Sequence, residues 1–343
     1  MTRPTTRPTT YVTNMHDMSM NESRFGPLPS VRAAVEQGAA QLHRYPSHTA
    51  AGLVSALAEH YGVSPAEVLV GPGSAGLTQN LIASLGPERA EVVYPALSFE
   101  AYPLMVMNTS CRPVPVPMAG PGHVALDLDA MAAAITDQTR CVLVCNPNNP
   151  TGSVVGRDEL TAFLDRVPAT VPVFLDEAYR EFVTDPDAAD GMQLRTGRDN
   201  VCVLRTFSKA YGLATLRVGY AIVPETIAQK ARMTNMVFYP GGLAQLAAIA
   251  ALEPEAEKQV LERCAEFAGI RAQFTEDLRA AGLDVPDSQA NFVWLPLGAG
   301  AEDFAVRCQA AGVLVRAHPG LGVRVTVGTD EANQQLLGVV AAG

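Results

Sequence analysis

The residues with the clearest capacity for chemistry follow one apolar run, Val201–Leu204, which predicts a buried strand. The hydroxyls of Thr206 and Ser208 come next, then the amine of Lys209 and, eight places later, the guanidinium of Arg217. Open α/β folds bind ligands at the carboxyl ends of their strands. The stretch therefore predicts a reactive amine beside a site for an anion, although an isolated Ser-Lys pair is more often an ordinary surface loop.

Three other predicted strand ends carry polar groups that suit the same ligand. The turn Gly73-Ser74-Ala75 lies between a strand and a helix, where free backbone N–H groups bind phosphate well. Asp176 ends the apolar run Val171–Leu175, and a buried carboxylate is costly unless a cation, such as a protonated pyridine nitrogen, pairs with it. Asn149 follows the run Arg140–Cys145 and could donate a hydrogen bond to a ligand oxygen.

Together these groups indicate a site for pyridoxal 5'-phosphate (PLP). That cofactor needs an amine for a Schiff base, a phosphate site and a partner for its ring nitrogen. Tyr179, three places after Asp176, could reach the phenolic oxygen of the ring, and Tyr102 could stack on the ring. Each feature alone is typical of an ordinary turn, so their order at successive strand ends carries the inference. We expect no metal in the site.

The strand and helix patterns predict an α/β fold. They alternate up to about residue 243, which is typical of a mostly parallel sheet between helices. The strands predicted there are Val68–Val70, Glu91–Tyr94, Arg112–Val116, Arg140–Cys145, Val171–Leu175, Val201–Leu204 and Val218–Val223. The strands predicted later are Asn291–Leu295, Val313–Arg316 and Val323–Val327. The helices include Ser98–Met107, Ala301–Ala311, Glu331–Val340 and a long helical region, Ala244–Ala281, with a break near Pro254.

Composition narrows the functional classes. With 48% hydrophobic and 17% charged residues, the chain is typical of globular proteins. The net charge is −10 and there is no basic block, which argues against nucleic acid as a partner. No apolar stretch approaches the roughly 18 residues of a membrane-spanning helix, and the N-terminus has no signal-like apolar segment. The six scattered cysteines indicate reduced, buried thiols in a cytoplasmic protein.

On these motifs the chain resembles the fold-type I PLP-dependent aminotransferases of the class I/II group. It is most similar to the branch of histidinol-phosphate aminotransferases and aromatic (phenylalanine) aminotransferases. The resemblance runs from about Asn21 to the C-terminus. The matching stretches are Phe25–Arg32, Ser98–Tyr102, Asn146–Gly152, Asp176–Tyr179, Leu204–Gly212, Ser288–Pro296 and Val323–Val327.

The resemblance implies a division of the chain and an assembly. It implies a large PLP-binding domain with a mostly parallel seven-stranded sheet between helices, and a smaller α+β domain. We place the large domain at residues 51–245 and the small C-terminal domain at residues 246–343. Residues 1–20 are expected to form a flexible tail, and residues 21–50 to contribute to the small domain and to a dimer interface. A homodimer with shared active sites is implied.

The resemblance also implies a role for each candidate residue. Lys209 would be the Schiff-base lysine and the base that moves the Cα proton, with Asp176, Tyr179 and Asn149 beside it. The cofactor contacts would be Gly73, Ser74, Ala75, Tyr102, Asn149, Asp176, Tyr179, Thr206, Ser208, Lys209, Arg217 and the partner subunit's Tyr45. Arg324 resembles the arginine that binds the substrate α-carboxylate through two hydrogen bonds. The other residues expected on the substrate side are Arg316, Asn21 and Arg24.

Departures from the family pattern spare these cofactor contacts and lie toward the substrate. Tyr45-Pro-Ser-His-Thr49 stands where Tyr-Pro-Asp is usual, and Arg24 stands where a small residue or proline is common. The first hypothesis is an aminotransferase that moves an amino group from an aromatic or other bulky L-amino acid to a 2-oxo acid. The alternative is another PLP reaction, either β-elimination (C–S lyase) or decarboxylation coupled to oxidative deamination. A PLP-binding protein without catalysis is a third hypothesis, and the intact Lys209, Asp176 and Arg324 argue against it.

Overall fold

The computed structural model describes residues 15–86, 90–120, 122, 124–234 and 238–342. The strands are β1 His16–Asp17, β2 Val68–Gly71, β3 Glu91–Pro95, β4 Arg112–Val116, β5 Thr139–Cys145, β6 Val173–Asp176, β7 Val201–Thr206, β8 Gly219–Ile222, β9 Phe292–Leu295, β10 Val313–Leu314, β11 Arg316–His318 and β12 Gly322–Thr326. The helices are α1 Pro29–Ala39, α2 Ala51–Tyr61, α3 Gly73–Ser84, α4 Tyr102–Asn108, α5 Leu128–Ala133, α6 Arg157–Arg166, α7 Gly191–Leu194, α8 Glu225–Thr234, α9 Gly242–Leu252, α10 Pro254–Ala280, α11 Ala301–Ala310 and α12 Asp330–Ala341.

Seven strands form one sheet in the order β2-β8-β7-β6-β5-β3-β4. Strand β8 is antiparallel to both of its neighbours, and the remaining pairs are parallel. Each strand predicted before residue 243 lies in this sheet, so the prediction of a mostly parallel α/β sheet is confirmed. The carboxyl ends of β2, β3, β5, β6 and β7 consequently meet at one edge of the sheet.

The sheet is covered on both faces, which explains why its strands are nearly continuous apolar runs. In β5, alternate residues point to opposite faces. Cys141, Leu143 and Cys145 pack with apolar side chains of α3, α4 and α8. Val142 and Val144 pack with side chains of α5 and α6 on the other face. Helices on both faces leave the carboxyl edge as the place where a ligand can approach.

The C-terminal part has its own three-stranded antiparallel sheet, in the order β11-β12-β9. The predicted strand Val313–Arg316 is in fact two short strands, because β10 pairs with β1 while β11 pairs with β12. The predicted break in the long helical region is confirmed at Glu253, where α9 ends and Pro254 occupies the first turn of α10. Proline suits that position because it has no N–H to leave unpaired.

The last part of the expected N-terminal tail is ordered. β1 pairs in parallel with β10, and Met18 is only 1% exposed. The Met18 N–H donates to Leu314 O over 2.8 Å, and its carbonyl accepts from Thr326 N over 2.8 Å. These contacts hold the segment because they satisfy its backbone groups and bury its apolar side chain. The part of the tail at residues 1–14 lies outside the described residues.

Three other expectations can be compared with the structure. All six cysteines are buried and free, as predicted. Among the described residues no helix is long and apolar enough to cross a membrane. The division into domains near residue 245 stays a prediction, although every strand of the seven-stranded sheet precedes that point and β9, β11 and β12 follow it.

Candidate active site

A cavity of about 440 Å³ lies at the carboxyl edge of the large sheet. Its wall combines residues that follow β2, β3, β5, β6 and β7 with the segment after β1 and one side chain of β12. This volume is within the range of small-molecule sites, which are roughly 300–1,000 Å³. Among the described residues, no cluster of His, Cys, Asp and Glu side chains is arranged to hold a metal ion.

Asp176 is the last residue of β6 and reaches the floor of the cavity. Tyr102 Oη donates to its Oδ2 over 2.9 Å, whereas Oδ1 is buried without a hydrogen-bond partner in the described part of the chain. Burial raises the pKa of this carboxyl to about 6, although the hydrogen bond from Tyr102 opposes the rise. A buried, half-satisfied carboxylate needs a donor or cation, and the protonated ring nitrogen of PLP would supply both.

Lys209 follows β7 and turns its amine into the same cavity. Nζ donates to the backbone oxygens of Met20, over 3.2 Å, and Asn21, over 3.1 Å. Burial lowers the pKa of the amine to about 7, and Arg324 and Arg217 add to the effect. The amine is thus largely unprotonated just above neutral pH, which is the form that attacks a carbonyl.

Asn21 holds the N-terminal segment against the site. Its backbone has φ of 54°, in the left-handed region that asparagine tolerates better than most residues. Its N–H donates to Thr326 Oγ1 over 2.9 Å, and its Nδ2 donates to Tyr179 Oη over 3.0 Å. Asn21 lines the cavity, as expected of a substrate-side residue, but its amide is engaged by protein groups. In the structure Asn21 positions the hydroxyl of Tyr179, and its own backbone carbonyl accepts a hydrogen bond from Lys209 Nζ.

A ready anion site lies beside Lys209. Thr206 Oγ1 donates to Ser208 Oγ over 3.0 Å, and an Arg217 guanidinium nitrogen donates to the same Ser208 oxygen over 3.3 Å. The α3 helix begins at Gly73 without a side-chain cap, so its first N–H groups remain available. Gly73 has φ of 72°, and a Cβ there would lie 2.7 Å from Arg217 NH2. Glycine is therefore required for the guanidinium to lie against the helix start, where a phosphate would bind.

Arg324, on β12, also lines the cavity. It is 5% exposed, and its NH1 donates to Asn149 Oδ1 over 2.6 Å. Its NH2 donates to the Ser19 carbonyl, while Nε is buried without a hydrogen-bond partner in the described part of the chain. Because Arg324 occupies the amide oxygen of Asn149, the NH₂ of that amide is the group that would face a ligand oxygen. Burial lowers the pKa of the guanidinium.

Tyr102, predicted to stack on the cofactor ring, is not among the residues that line the cavity. Tyr102 is 1% exposed, and its hydroxyl is used by Asp176. Phe99 lines the cavity instead and meets Tyr102 edge to face, with ring centroids 5.5 Å apart. The reason is the helix start: α4 begins at Tyr102 and not at Ser98, so Phe99 lies in the turn that faces the ligand edge.

One expected substrate-side contact differs from the sequence-based assignment, whereas Tyr45, expected in the partner's site, stays a prediction. Arg24 does not line the cavity, because it pairs with Asp330 over 3.0 Å at the start of α12. Tyr45 is 87% exposed beside the ring of Phe238, and it does not reach the cavity of its own chain.

Sequence reasoning missed several wall residues altogether. They are Met20, Glu22, Phe99, Glu100, Cys145, Ala178, Ala214 and Thr215. Phe99 and Glu100 lie in the matching stretch Ser98–Tyr102, which is the one signal that could have found them. Arg316, expected on the substrate side, is not on the wall itself but pairs with Glu100 at its rim.

Comparisons with known proteins agree with this geometry. The family model "Aminotransferase class I and II" matches residues 13–340. The aromatic amino acid aminotransferase of Streptomyces coelicolor is 50% identical over 324 residues, or 94% of this chain and 89% of that protein. The aromatic amino acid aminotransferase of Thermobifida fusca is 50% identical over 322 residues, or 94% and 88%. The crystal structure of histidinol-phosphate aminotransferase from Sinorhizobium meliloti in complex with PLP gives a TM-score of 0.88 at 31% identity, covering 96% of this chain and 90% of that one.

Proposed function

Because this chain belongs to the class I and II aminotransferases and is a PLP-dependent enzyme, we propose that its amino donor is an aromatic or other bulky L-amino acid. The acceptor is a 2-oxo acid. The names of the relatives, aromatic amino acid aminotransferases at about 50% identity, support this donor class. They do not favour the alternative of β-elimination or decarboxylation coupled to oxidative deamination.

One observation carries the proposal for the cofactor: Asp176, whose buried Oδ1 has no hydrogen-bond partner among the described residues, lines the same cavity as Lys209. The residues present fit PLP. Asp176 would hold the ring nitrogen, and Asn149 and Tyr179 would hold the ring oxygen. The phosphate would lie among the α3 start, Thr206, Ser208 and Arg217. When bound, PLP supplies an electron sink for the bond that breaks at the substrate Cα.

The chain's own residues account for the remaining steps. Arg324 presents a guanidinium that would bind the substrate α-carboxylate through two hydrogen bonds and so fix the orientation of the Cα–H bond. Lys209 Nζ would take the proton from Cα and return it on the cofactor side, and a pKa lowered to about 7 suits both transfers. The segment Met20–Glu22 contributes to the wall of the cavity.

The donor class is also supported by apolar side chains on the wall of the cavity. Phe99 and Met20 provide an apolar surface there. An aromatic side chain gains contact area and an edge-to-face ring contact on such a surface. A small polar side chain would leave that surface in contact with water.

We also propose a homodimer in which Tyr45 completes the neighbouring site. Tyr45 and Phe238 are exposed and in contact, with ring centroids 5.1 Å apart. The pair lies outside the cavity of its own chain, as a residue destined for the partner's phosphate site would. The proposed location is the cytoplasm, which suits six buried, free thiols.

The test of the donor class is a panel of L-amino acids with 2-oxoglutarate, followed by cofactor absorbance and mass spectrometry of the products. We expect phenylalanine, tyrosine or tryptophan to give the highest kcat/KM, with the matching 2-oxo acid as product. A preference for histidinol phosphate or an acidic donor would overturn the proposal. Release of ammonia with pyruvate, or of carbon dioxide with an aldehyde, would do the same.

A further inference from the structure

The two oxygens of the Asp176 carboxylate have different surroundings. Oδ2 accepts a hydrogen bond from Tyr102 Oη over 2.9 Å, whereas Oδ1 is buried and has no hydrogen-bond partner among the residues that the structure describes. Asp176 lines the cavity, while Tyr102 is buried and is not part of the wall. Because Oδ2 already has a donor, Oδ1 is the oxygen left for a cation or donor that enters the cavity.

The ring of Tyr102 is held in place by its neighbours. Tyr102 meets Phe99 edge to face with ring centroids 5.5 Å apart, and it meets Tyr94 in the same way with centroids 6.0 Å apart. It is the first residue of α4, and Pro103 follows in the first turn, where proline suits a helix start. In a close-packed interior such contacts leave a ring little freedom to move. The hydroxyl therefore stays against the carboxylate of Asp176.

The hydroxyl of Tyr102 keeps its proton throughout the working pH range. Burial raises the pKa of this phenol well above its ordinary value, and the charge of Asp176 raises it further. A hydrogen bond to the charged form of a carboxyl stabilises that form. After burial, which raises the pKa of Asp176, the hydrogen bond from Tyr102 has the largest effect and acts in the opposite direction.

Four other groups around Asp176 act less strongly or stay neutral. Glu177 raises the pKa of the Asp176 carboxyl, whereas the backbone of Ala178 and the amine of Lys209 lower it. Burial raises the pKa of the Cys145 thiol to about 12, so this wall residue carries no charge near neutral pH. The hydroxyl of Tyr102 is thus the main group that favours an ionised carboxyl at the floor of the cavity.

We propose that Tyr102 is a positioning residue, whose hydroxyl keeps Asp176 ionised and leaves Oδ1 to the ring nitrogen of the cofactor. The inference rests on the proposed function, in which Asp176 holds that nitrogen. A carboxylate that is harder to protonate leaves the shared proton on the nitrogen, and a protonated ring is the stronger electron sink. Without the hydroxyl, the carboxylate would take a larger share of that proton, and no other bond would change.

The first experiment uses the cofactor-free protein and the variant Tyr102→Phe, which keeps the ring and its contacts. Aspartate labelled with ¹³C at the carboxyl carbon is titrated by NMR, and Asp176→Asn identifies the signal. Loss of a hydrogen bond to a charged group should raise the titration midpoint of Asp176 by about one pH unit or more. The matched control is Tyr94→Phe, which removes a hydroxyl from the neighbouring buried ring and should leave the midpoint unchanged.

The second experiment measures kcat and KM for L-phenylalanine in the PLP-loaded enzyme. In Tyr102→Phe we expect kcat to fall about tenfold, in proportion to the change in the basicity of the carboxylate. KM should stay within about twofold of the wild-type value, because Arg324 is untouched. Tyr94→Phe should match the wild type in both parameters.

Two results would overturn the inference: a midpoint of Asp176 in Tyr102→Phe that equals the wild-type midpoint, or a higher midpoint with an unchanged kcat. An equal loss of kcat in Tyr94→Phe would also do so, since the effect would then come from packing. A wild-type enzyme that does not accept aromatic donors would refute the proposed donor class. The titration of the cofactor-free protein decides whether Tyr102 controls Asp176 in either case.

Discussion

Asp176 and Arg324 line one cavity and are buried to nearly the same extent, at 6% and 5% exposure. Asp176 ends a central strand, between β5 and β7, and its hydrogen-bond partner Tyr102 is 74 residues away. Arg324 depends on Asn149, 175 residues away, and on the carbonyl of Ser19, 305 residues away. The residues expected to bind the cofactor lie at one edge of the sheet. The residues around Arg324, which is expected to bind the substrate, come from distant parts of the chain. Substitutions among the cofactor-binding residues should therefore lower kcat, and substitutions around Arg324 should weaken substrate binding.

The largest loss is expected from Lys209→Ala. The amine is both the covalent anchor and the base at Cα, so kcat should fall by about 10⁴-fold or more while the fold is kept. Borohydride reduction followed by peptide mapping should fix the cofactor to Lys209 in the wild type and to no residue in the variant. Lys230→Ala, on the exposed face of α8, is the matched control and should behave as the wild type. A cofactor fixed at Lys230 or Lys258 would contradict the assignment.

Asp176→Asn should still bind PLP but lose on the order of a thousandfold in kcat, by analogy with the loss of an orienting carboxylate elsewhere. A neutral amide cannot hold a proton on the ring nitrogen, so the cofactor becomes a poorer electron sink. Single-turnover absorbance changes with phenylalanine measure this step directly. A variant with nearly wild-type kcat would show that Asp176 does not support the ring.

Arg324→Ala tests the substrate side and should act mainly on KM. Deleting one partner of a buried, charged hydrogen-bonded pair costs about 2 kcal/mol or more, hence about thirtyfold or more in kcat/KM. Lysine at this position should restore only part of the lost kcat/KM because it lacks the planar guanidinium, which donates two parallel hydrogen bonds.

The matched comparison for Arg324→Ala is Arg24→Ala, whose guanidinium pairs with Asp330 outside the cavity. It should leave KM near the wild-type value for every donor. If Arg24→Ala raises KM as much as Arg324→Ala does, the placement of Arg24 away from the substrate is wrong.

The smallest effect is a pH dependence of cofactor uptake by the cofactor-free protein. Burial lowers the pKa of Lys209 to about 7, so the amine is neutral and nucleophilic above that pH and protonated below it. The rate of covalent PLP uptake should therefore level off above pH 7 and fall about tenfold for each pH unit below it. Stopped-flow absorbance measures the rate. A rate that keeps rising toward pH 10 would mean that the amine has the pKa of an ordinary exposed lysine.

The same contrast explains how much of the molecule could be predicted from sequence. Lys209, Asp176, Asn149 and Tyr179 follow predicted strands directly, so an apolar run and the polar residues after it place them together. Six of the seven strands were predictable for the same reason, since they are largely apolar runs buried on both faces, whereas the edge strand β4 is partly exposed.

The errors fall where distant contacts or an element boundary decide the outcome. Tyr102 was predicted to stack on the ring within a helix that starts at Ser98, whereas α4 begins at Tyr102, and helix starts are poorly defined by sequence. The partner of Arg24, Asp330, is 306 residues away in the sequence, and no local sequence pattern indicates that contact. Glu100 was missed because a carboxylate in a turn is ordinary until Arg316 of a distant strand is seen beside it.

The contacts between the two ends of the chain determine the order in which parts of the active site can form during translation. Asn21 N donates to Thr326 Oγ1, and Ser19 O accepts from Arg324, in both cases 305 residues away. Domains generally fold as units during translation, and the strands of the seven-stranded sheet end at residue 222. That sheet can therefore form while the ribosome is still adding β9 to β12. The carbonyls that hold Lys209 can be fixed only after β12 has left the exit tunnel, so a nascent chain can have its cofactor edge in place well before it can bind a substrate.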